Sequence, residues 1–553
     1  MTNAKDRYET KTTIGAIRDS KDRKLYQKQI DIAEAIYASL GRTGKIFNCG
    51  GAATWVDNET RKVLEVVPNS AKTSALLIDY GIMPETPLAR IVGRFIEAKV
   101  TSTAKKATIY TLAFYDKSAG ALYVNEHGTY FLKITADHIE RLQNGDDDML
   151  FTDGEDTCDP LHADLAAATE QARKPALSEL AESLFEKHIF AELRYPEHGI
   201  GRDNARLILT LAVLGLFLRE LMRQYPNVYF LGPGASLKTS LAWKVGLLLV
   251  GKNFNPTSAN SDESEVRNLL INRPFVVVDE ANNLSKLQNL MRMAVTGGED
   301  TRRKLYTTDT MQAKPFQARL WMTANTDSLT NEANASRQII IDAGAREEDK
   351  PYRSTRFVFG ELSEARNPIW SELVGRLGAA VREIQQSDEA GIADLRVSSR
   401  LSDFFVIGHT LAAAAGVSQE MERAEKTLTE RQERMADEGN EFLYAMRRIS
   451  ISYNARILPG QNGREPVLSG ARTLGEWQMI LHAQIPEANR ELKAKAARLG
   501  WVRYQFQHNE HTLHHELGMV RGETRNNYGK KVFTYAFTGF EGPASIAQAE
   551  VLD

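Results

Sequence analysis

Lys238 and Thr239 close a glycine-containing loop, Gly232-Pro233-Gly234-Ala235-Ser236-Leu237, and open an apolar stretch that continues from Ser240. A short apolar run, Val228 to Leu231, leads into that loop. Strand, loop, Lys-Thr and helix in this order make a cradle for phosphate. The loop N–H groups and the helix N-terminus face the anion, and the lysine brings a point charge to the outer phosphates. The threonine hydroxyl can hold Mg²⁺. ATP with Mg²⁺ is therefore the expected ligand of residues 232–240. One position departs from the usual pattern: Leu237 stands where such loops carry glycine, and a side chain there can crowd the backbone's approach to phosphate.

Three further groups follow at strand ends. Phe275 to Val278 is an apolar run that delivers two carboxylates, Asp279 and Glu280. A buried strand of this kind sets both beside the phosphate loop, Asp279 to hold the metal and Glu280 to act as general base on the attacking water. Arg319 to Ala324 is a second such run and ends in Asn325, placed to orient that water. Arg337 directly precedes the run Gln338 to Asp342, from which it can reach a neighbouring subunit's γ-phosphate as an arginine finger.

Positioning these groups requires short apolar strands alternating with helices, the pattern of a parallel α/β core. Four regions are expected: a β-rich accessory domain over 1–160, whose first forty or so residues form a charged helical lead-in; an ATPase domain with preceding helices over 161–345; a helical domain over 346–455; and a winged-helix-like domain over 456–553. In the first region, stretches such as 45–58 and 107–116 are rich in β-branched and aromatic residues and punctuated by Gly, Asp and Asn. An acidic loop, 145–159, reads as solvated and mobile, because no apolar strands deliver its carboxylates. In the last region the stretch 502–510 reads as a strand, after two helices. A local histidine group (His508, His511, His514, His515) has no acid or cysteine at a metal-ligand spacing and reads as loop polarity.

Composition limits the partners. A net charge of −3 gives no global attraction to nucleic acid, so any such contact must come from local patches. Two cysteines cannot make a disulfide framework, and the polar N-terminus lacks the apolar core of a secretion signal. Both fit a cytoplasmic setting. The longest apolar stretch, Leu207 to Leu218, falls short of the roughly 20 residues a membrane span needs and reads as a buried helix.

The order of these motifs resembles the AAA+ class of P-loop ATPases and, within it, the superfamily 3 helicases of viruses, phages and mobile elements. Thr296-Gly-Gly-Glu-Asp-Thr-Arg-Arg-Lys-Leu-Tyr306, between the carboxylate strand and the Asn325 strand, looks like the Gly-Gly…Arg…Leu-Tyr segment of phage-type primase-helicase ATPase domains. The resemblance covers 180–345 well, 350–450 loosely, and the N-terminal region insecurely. It implies a hexameric ring with ATP between subunits: Lys238, Thr239, Asp279, Glu280 and Asn325 acting in cis and Arg337 in trans. It also implies a β-hairpin before the Asn325 strand whose basic residues track single-stranded DNA, with Arg302, Arg303, Lys304 and Lys314 as candidates. Between 472 and 531, ten Lys/Arg face six Asp/Glu, which suits DNA at a winged helix. Two other readings stay open. One is an ATPase switch or loader that remodels protein partners. The other is a DNA-binding replication initiator with a P-loop weakened by Leu237.

Overall fold

The computed structural model describes residues 3–67, 70–152, 158–196, 200–303 apart from 283 and 285, 311–325, 332–345, 354–387, 399–439, 472–484, 496–508, 519–525 and 531–537, with a few isolated positions. The chain is a multidomain α/β protein that falls into two units, Met1–Ser328 with Ser336–Arg431, and Leu329–Ala335 with Gln432–Asp553.

At the centre of the first unit is a five-stranded sheet built from β1 (Asn227–Leu231), β2 (Thr257–Ser258), β3 (Phe275–Asp279), β4 (Arg319–Ala324) and β5 (Gln338–Asp342). Every pairing is parallel and the spatial order is β2-β3-β4-β1-β5. Four of these strands are almost wholly buried, which explains their unbroken Val/Ile/Leu/Phe runs. Because β1 lies between β4 and β5, the chain leaves the sheet on β1 at the point where strand order reverses, the place where open parallel sheets generally bind ligands outside the strand C-termini. Helix α1 (Lys238–Leu249) follows β1 and packs on β3 and β4. A long helix, α2 (Thr355–Gln386), runs against α1 and the helix Leu165–Ala172. The apolar stretch from Leu207 lies in the buried helix Arg202–Gly215, and among the described residues no helix is long and apolar enough to cross a membrane.

The N-terminal region corrects the β-rich expectation. The helices Asn3–Asp19 and Leu25–Thr43 match the helical lead-in and two four-stranded sheets are present, but two further helices, Ala71–Asp79 and Pro87–Thr103, lie within the stretch expected to be β-rich. The last begins with Pro87 at its first turn and a Thr86 side chain accepting the Ala89 N–H, and buries Ala89, Val92, Ile96 and Val100 along one face. That face joins Ile32, Ile36, Leu40 and Trp55 in one core. The start of the acidic loop is also held rather than free. Asp146 pairs with Arg61, Asp147 with Lys133 and Asp148 with Lys105, while residues 153–157 lie outside the described set.

The second unit contains helices Leu474–Gln484 and Leu499–His508 and a three-stranded antiparallel sheet from Arg472–Thr473, Met519–Arg525 and Lys531–Phe537. Residues 502–508, expected as a strand, are helical. Val502 and Phe506 are buried one helical turn apart, and Phe506 lies 5.8 Å from the Trp477 ring. His508 ends that helix, and His511, His514 and His515 lie outside the described residues.

Candidate nucleotide site

The loop 232–237 leaves β1 and turns into α1 through two residues with left-handed backbone, Ala235 (φ 64°) and Leu237 (φ 66°). Leu237 thus adopts the conformation that glycine takes without strain, at a cost of about 1–2 kcal/mol for a residue with a Cβ. The substitution flagged in the sequence leaves the turn in place and shows up as backbone strain. Gly232 is required by a close approach: a Cβ there would sit 2.2 Å from the Ala343 carbonyl oxygen beyond β5. The Ser236 hydroxyl is buried without a partner among the described residues, and such groups are ordinarily satisfied by ligand or water.

Lys238, 5% exposed, opens α1. Its ammonium donates to the Asn325 side-chain oxygen (2.8 Å) and to the Pro233 carbonyl (3.0 Å). Burial pushes its pKa below the usual lysine value, and the nearby carboxylates of Asp279 and Glu280 act in the opposite sense. Thr239 donates its hydroxyl to Asp279 Oδ1 (2.8 Å), and the Thr323 hydroxyl donates to the same oxygen. Residues from the start of α1 and the ends of β3 and β4 therefore form two hydrogen-bonded groups, Lys238 with Asn325, and Asp279 with Thr239 and Thr323.

Glu280 is exposed at the tip of β3, with left-handed backbone (φ 55°) that turns the chain sharply out of the strand. That turn is pinned on both sides. Ala281 N–H donates to the Thr323 carbonyl (2.7 Å), and the Asn282 side chain accepts the Asn325 N–H (2.7 Å). Asn282 and Thr323 were missed in the sequence. Thr323 carried a signal, since period-two alternation puts it on the same face of β4 as Asn325.

The donors available to a metal are all oxygens, the Thr239 hydroxyl and the Asp279 carboxylate. A hard cation that keeps most of its waters and takes phosphate oxygens as further ligands fits such a pair. Among the described residues no group of three or more His, Cys, Asp or Glu gathers to hold a metal by itself.

Arg337 belongs to neither hydrogen-bonded group. It precedes β5, at the end of the sheet away from the loop, about five residues or roughly 16 Å of strand from the phosphate edge. Burial, with Arg400 and Arg292 nearby, lowers its pKa. Arg302 and Arg303 lie on one strand of a hairpin (Glu299–Arg303) and Lys314 on the other (Met311–Pro315), with Arg302 opposite Gln312 and Lys314 opposite Asp300. Lys304 lies outside the described residues.

No known family profile matches the chain, and no curated protein matches it. Solved structures aligning with it include the A-form apo structure of the NrS-1 C-terminal region, at 9% identity over 90% of this chain and 98% of that one, with a TM-score of 0.40. A second apo structure of that region, residues 305–718, aligns at 10% identity over 90% and 97%, with a TM-score of 0.37. A likeness of that order bears on neither activity nor site, so the functional reading rests on the chain's own residues.

Proposed function

We propose that this chain is an AAA+-type ATPase that works as a ring and uses ATP·Mg²⁺ to move along single-stranded DNA, as a helicase or translocase of mobile-element replication. The observation that carries the reading is the meeting of Lys238, Thr239, Asp279 and Asn325 at the C-terminal edge of adjacent parallel strands, below a loop that runs into a helix N-terminus. An ammonium, a hydroxyl–carboxylate pair and an amide are the groups that phosphoryl transfer to water needs around the terminal phosphate.

In this reading residues 232–240 hold the triphosphate and Lys238 trades its bonds to Asn325 and Pro233 for phosphate oxygens. Thr239 and Asp279 hold the metal, which neutralises charge on the phosphates when bound. Glu280 takes the proton of the attacking water, which Asn325 orients. Arg337, remote from its own loop, serves the site of a neighbouring subunit, and a hexamer would close the ring. The hairpin strands that carry Arg302, Arg303 and Lys314, together with Lys304, the next residue in the sequence, contact the DNA backbone without regard to sequence. The C-terminal unit, with helices and an antiparallel sheet in a cationic segment, suits a DNA-binding winged helix.

The deciding experiment is ATPase rate with and without single-stranded DNA, on wild type and Glu280→Gln. Hydrolysis stimulated by DNA and reduced roughly 10²–10⁴-fold in the variant is expected. Hydrolysis indifferent to DNA would replace the motor with an ATPase that remodels protein partners. ATP binding without hydrolysis in wild type would leave a binding-only initiator.

A further inference from the structure

The hairpin that precedes β4 is rooted in the N-terminal region directly through the side chain of Gln317. Gln317 lies between the hairpin strand Met311–Pro315 and β4, and its backbone N–H and that of Ala318 both donate to the Leu270 carbonyl (2.9 Å each). Its side-chain amide reaches the strand Ile109–Tyr110. Nε2 donates to the Ile109 carbonyl (2.9 Å) and Oε1 accepts the Thr111 N–H (2.8 Å). In a β-strand the carbonyl of one residue and the N–H two residues on point to the same side and are normally taken by one residue of a neighbouring strand. The Gln317 amide supplies that missing partner with one donor and one acceptor. The other side of this strand is already used, by pairing with Leu150–Phe151 and by the Thr152 N–H on the Tyr110 carbonyl.

A second tie runs beside it. The Tyr115 N–H donates to Glu220 Oε2 (3.0 Å), and the adjacent Arg219 donates to the carbonyl of Phe316, next to Gln317. Segment 109–115 therefore grips the hairpin root at two neighbouring points. From that root β4 runs straight to Thr323 and Asn325, about 20 Å away at six residues of strand.

We infer that Gln317 is a positioning residue through which the N-terminal region sets the hairpin against the ATPase sheet, so that stimulation by a DNA strand depends on this amide clip. The inference rests on the proposed function for its activity readout, but the clip itself can be read without it.

The test uses the full chain with Gln317→Leu, which keeps the side chain's bulk and removes both hydrogen bonds, and Gln317→Glu, which keeps the acceptor only. Two quantities are measured: ATPase rate with and without oligothymidylate, and hydrogen exchange over 299–303, 311–315 and the Thr111 amide. Expected for Gln317→Leu is a basal rate within about twofold of wild type, stimulation lost, and exchange faster by about tenfold at these sites, the size of effect that net loss of one or two hydrogen bonds gives. Gln317→Glu should fall between Leu and wild type. A residue that merely stabilises the fold would lower basal and stimulated rates together and speed exchange throughout the unit, which would overturn the inference. Wild-type stimulation retained in Gln317→Leu would overturn it too. If wild type itself is not stimulated by DNA, the proposed function fails instead, and unchanged exchange at the hairpin in Gln317→Leu would then sink the clip independently.

Discussion

The two edges of the central sheet are built from different kinds of bond. At the C-terminal edge, Lys238 holds Asn325, and Asp279 holds Thr239 and Thr323, through side-chain hydrogen bonds that the proposed function has a ligand replace. At the N-terminal edge, charge is held by main chain. Arg319, fully buried, donates to the Gln317 carbonyl and lies 5.0 Å over the Tyr225 ring, and burial together with Arg219 brings its pKa down to about 9. Arg219 is likewise fixed on the Phe316 carbonyl. Each of these guanidiniums donates to a backbone carbonyl inside the fold, although Arg319 Nε is buried without a partner among the described residues. One edge is arranged for exchange and the other for anchorage, with β4 joining them.

The sharpest test of that division is Arg337, which stands at the anchoring edge and yet is assigned chemistry. In a ring, Arg337→Ala should lower turnover about 10³–10⁵-fold while leaving nucleotide binding in place. Mixing it with Lys238→Ala subunits should restore part of the rate, because some interfaces then carry an intact pair. No recovery on mixing would put Arg337 back among structural residues. Asn282 probes the exchange edge more gently. Asn282→Ala removes the clamp between the Glu280 turn and Asn325, and kcat should fall roughly 10-fold with KM little changed, as for one lost hydrogen bond of about 1 kcal/mol or somewhat more. A rate equal to wild type would show that the turn holds its shape unaided.

Leu237→Gly should act in the opposite direction. Relief of left-handed strain of about 1–2 kcal/mol, offset partly by glycine's greater freedom when unbound, predicts nucleotide affinity improved by a few-fold. Titration with an unhydrolysed ATP analogue measures it, and weaker binding would mean the Leu237 side chain itself contributes. The smallest effect belongs to a group at neither edge. Burial on α2 pushes the Glu383 carboxyl up from 4.5 to about 7. A folded-state pKa above the unfolded one means its stabilising contribution is complete below about pH 4.5 and disappears as pH rises through about 7. Glu383→Gln should therefore raise the melting temperature at pH 8, change it little at pH 4.5, and leave ATPase activity alone.

What could be read in advance follows the same division. The groups at strand C-termini were legible because each ends an apolar run with a residue whose chemistry is local to that position: Asp279, Glu280, Asn325. Asn282 and Gln317 were not, because an amide acquires its role from whichever backbone it meets, and Gln317 meets a strand some two hundred residues earlier in the chain. The helix at Pro87–Thr103 is hidden by its β-branched residues, which weigh toward strand, while the spacing of Val92, Ile96 and Val100 belongs to a helix. Residues 502–508 failed for the converse reason: an aromatic-rich alternation of Val, Tyr and Phe overlies a helical pair, Val502 and Phe506. The sequence beside the acidic loop does not show what holds its start, because the cations that do, Arg61, Lys105 and Lys133, come from other strands and turns.

The contact between Gly232 and Ala343 leaves no slack where the loop meets the far end of β5. That strand begins at the residue after Arg337. In the ring reading, each subunit's own cradle therefore rests against one end of a lever whose other end carries the finger extended to the next subunit. Glycine stands where loop and strand touch because no larger residue fits.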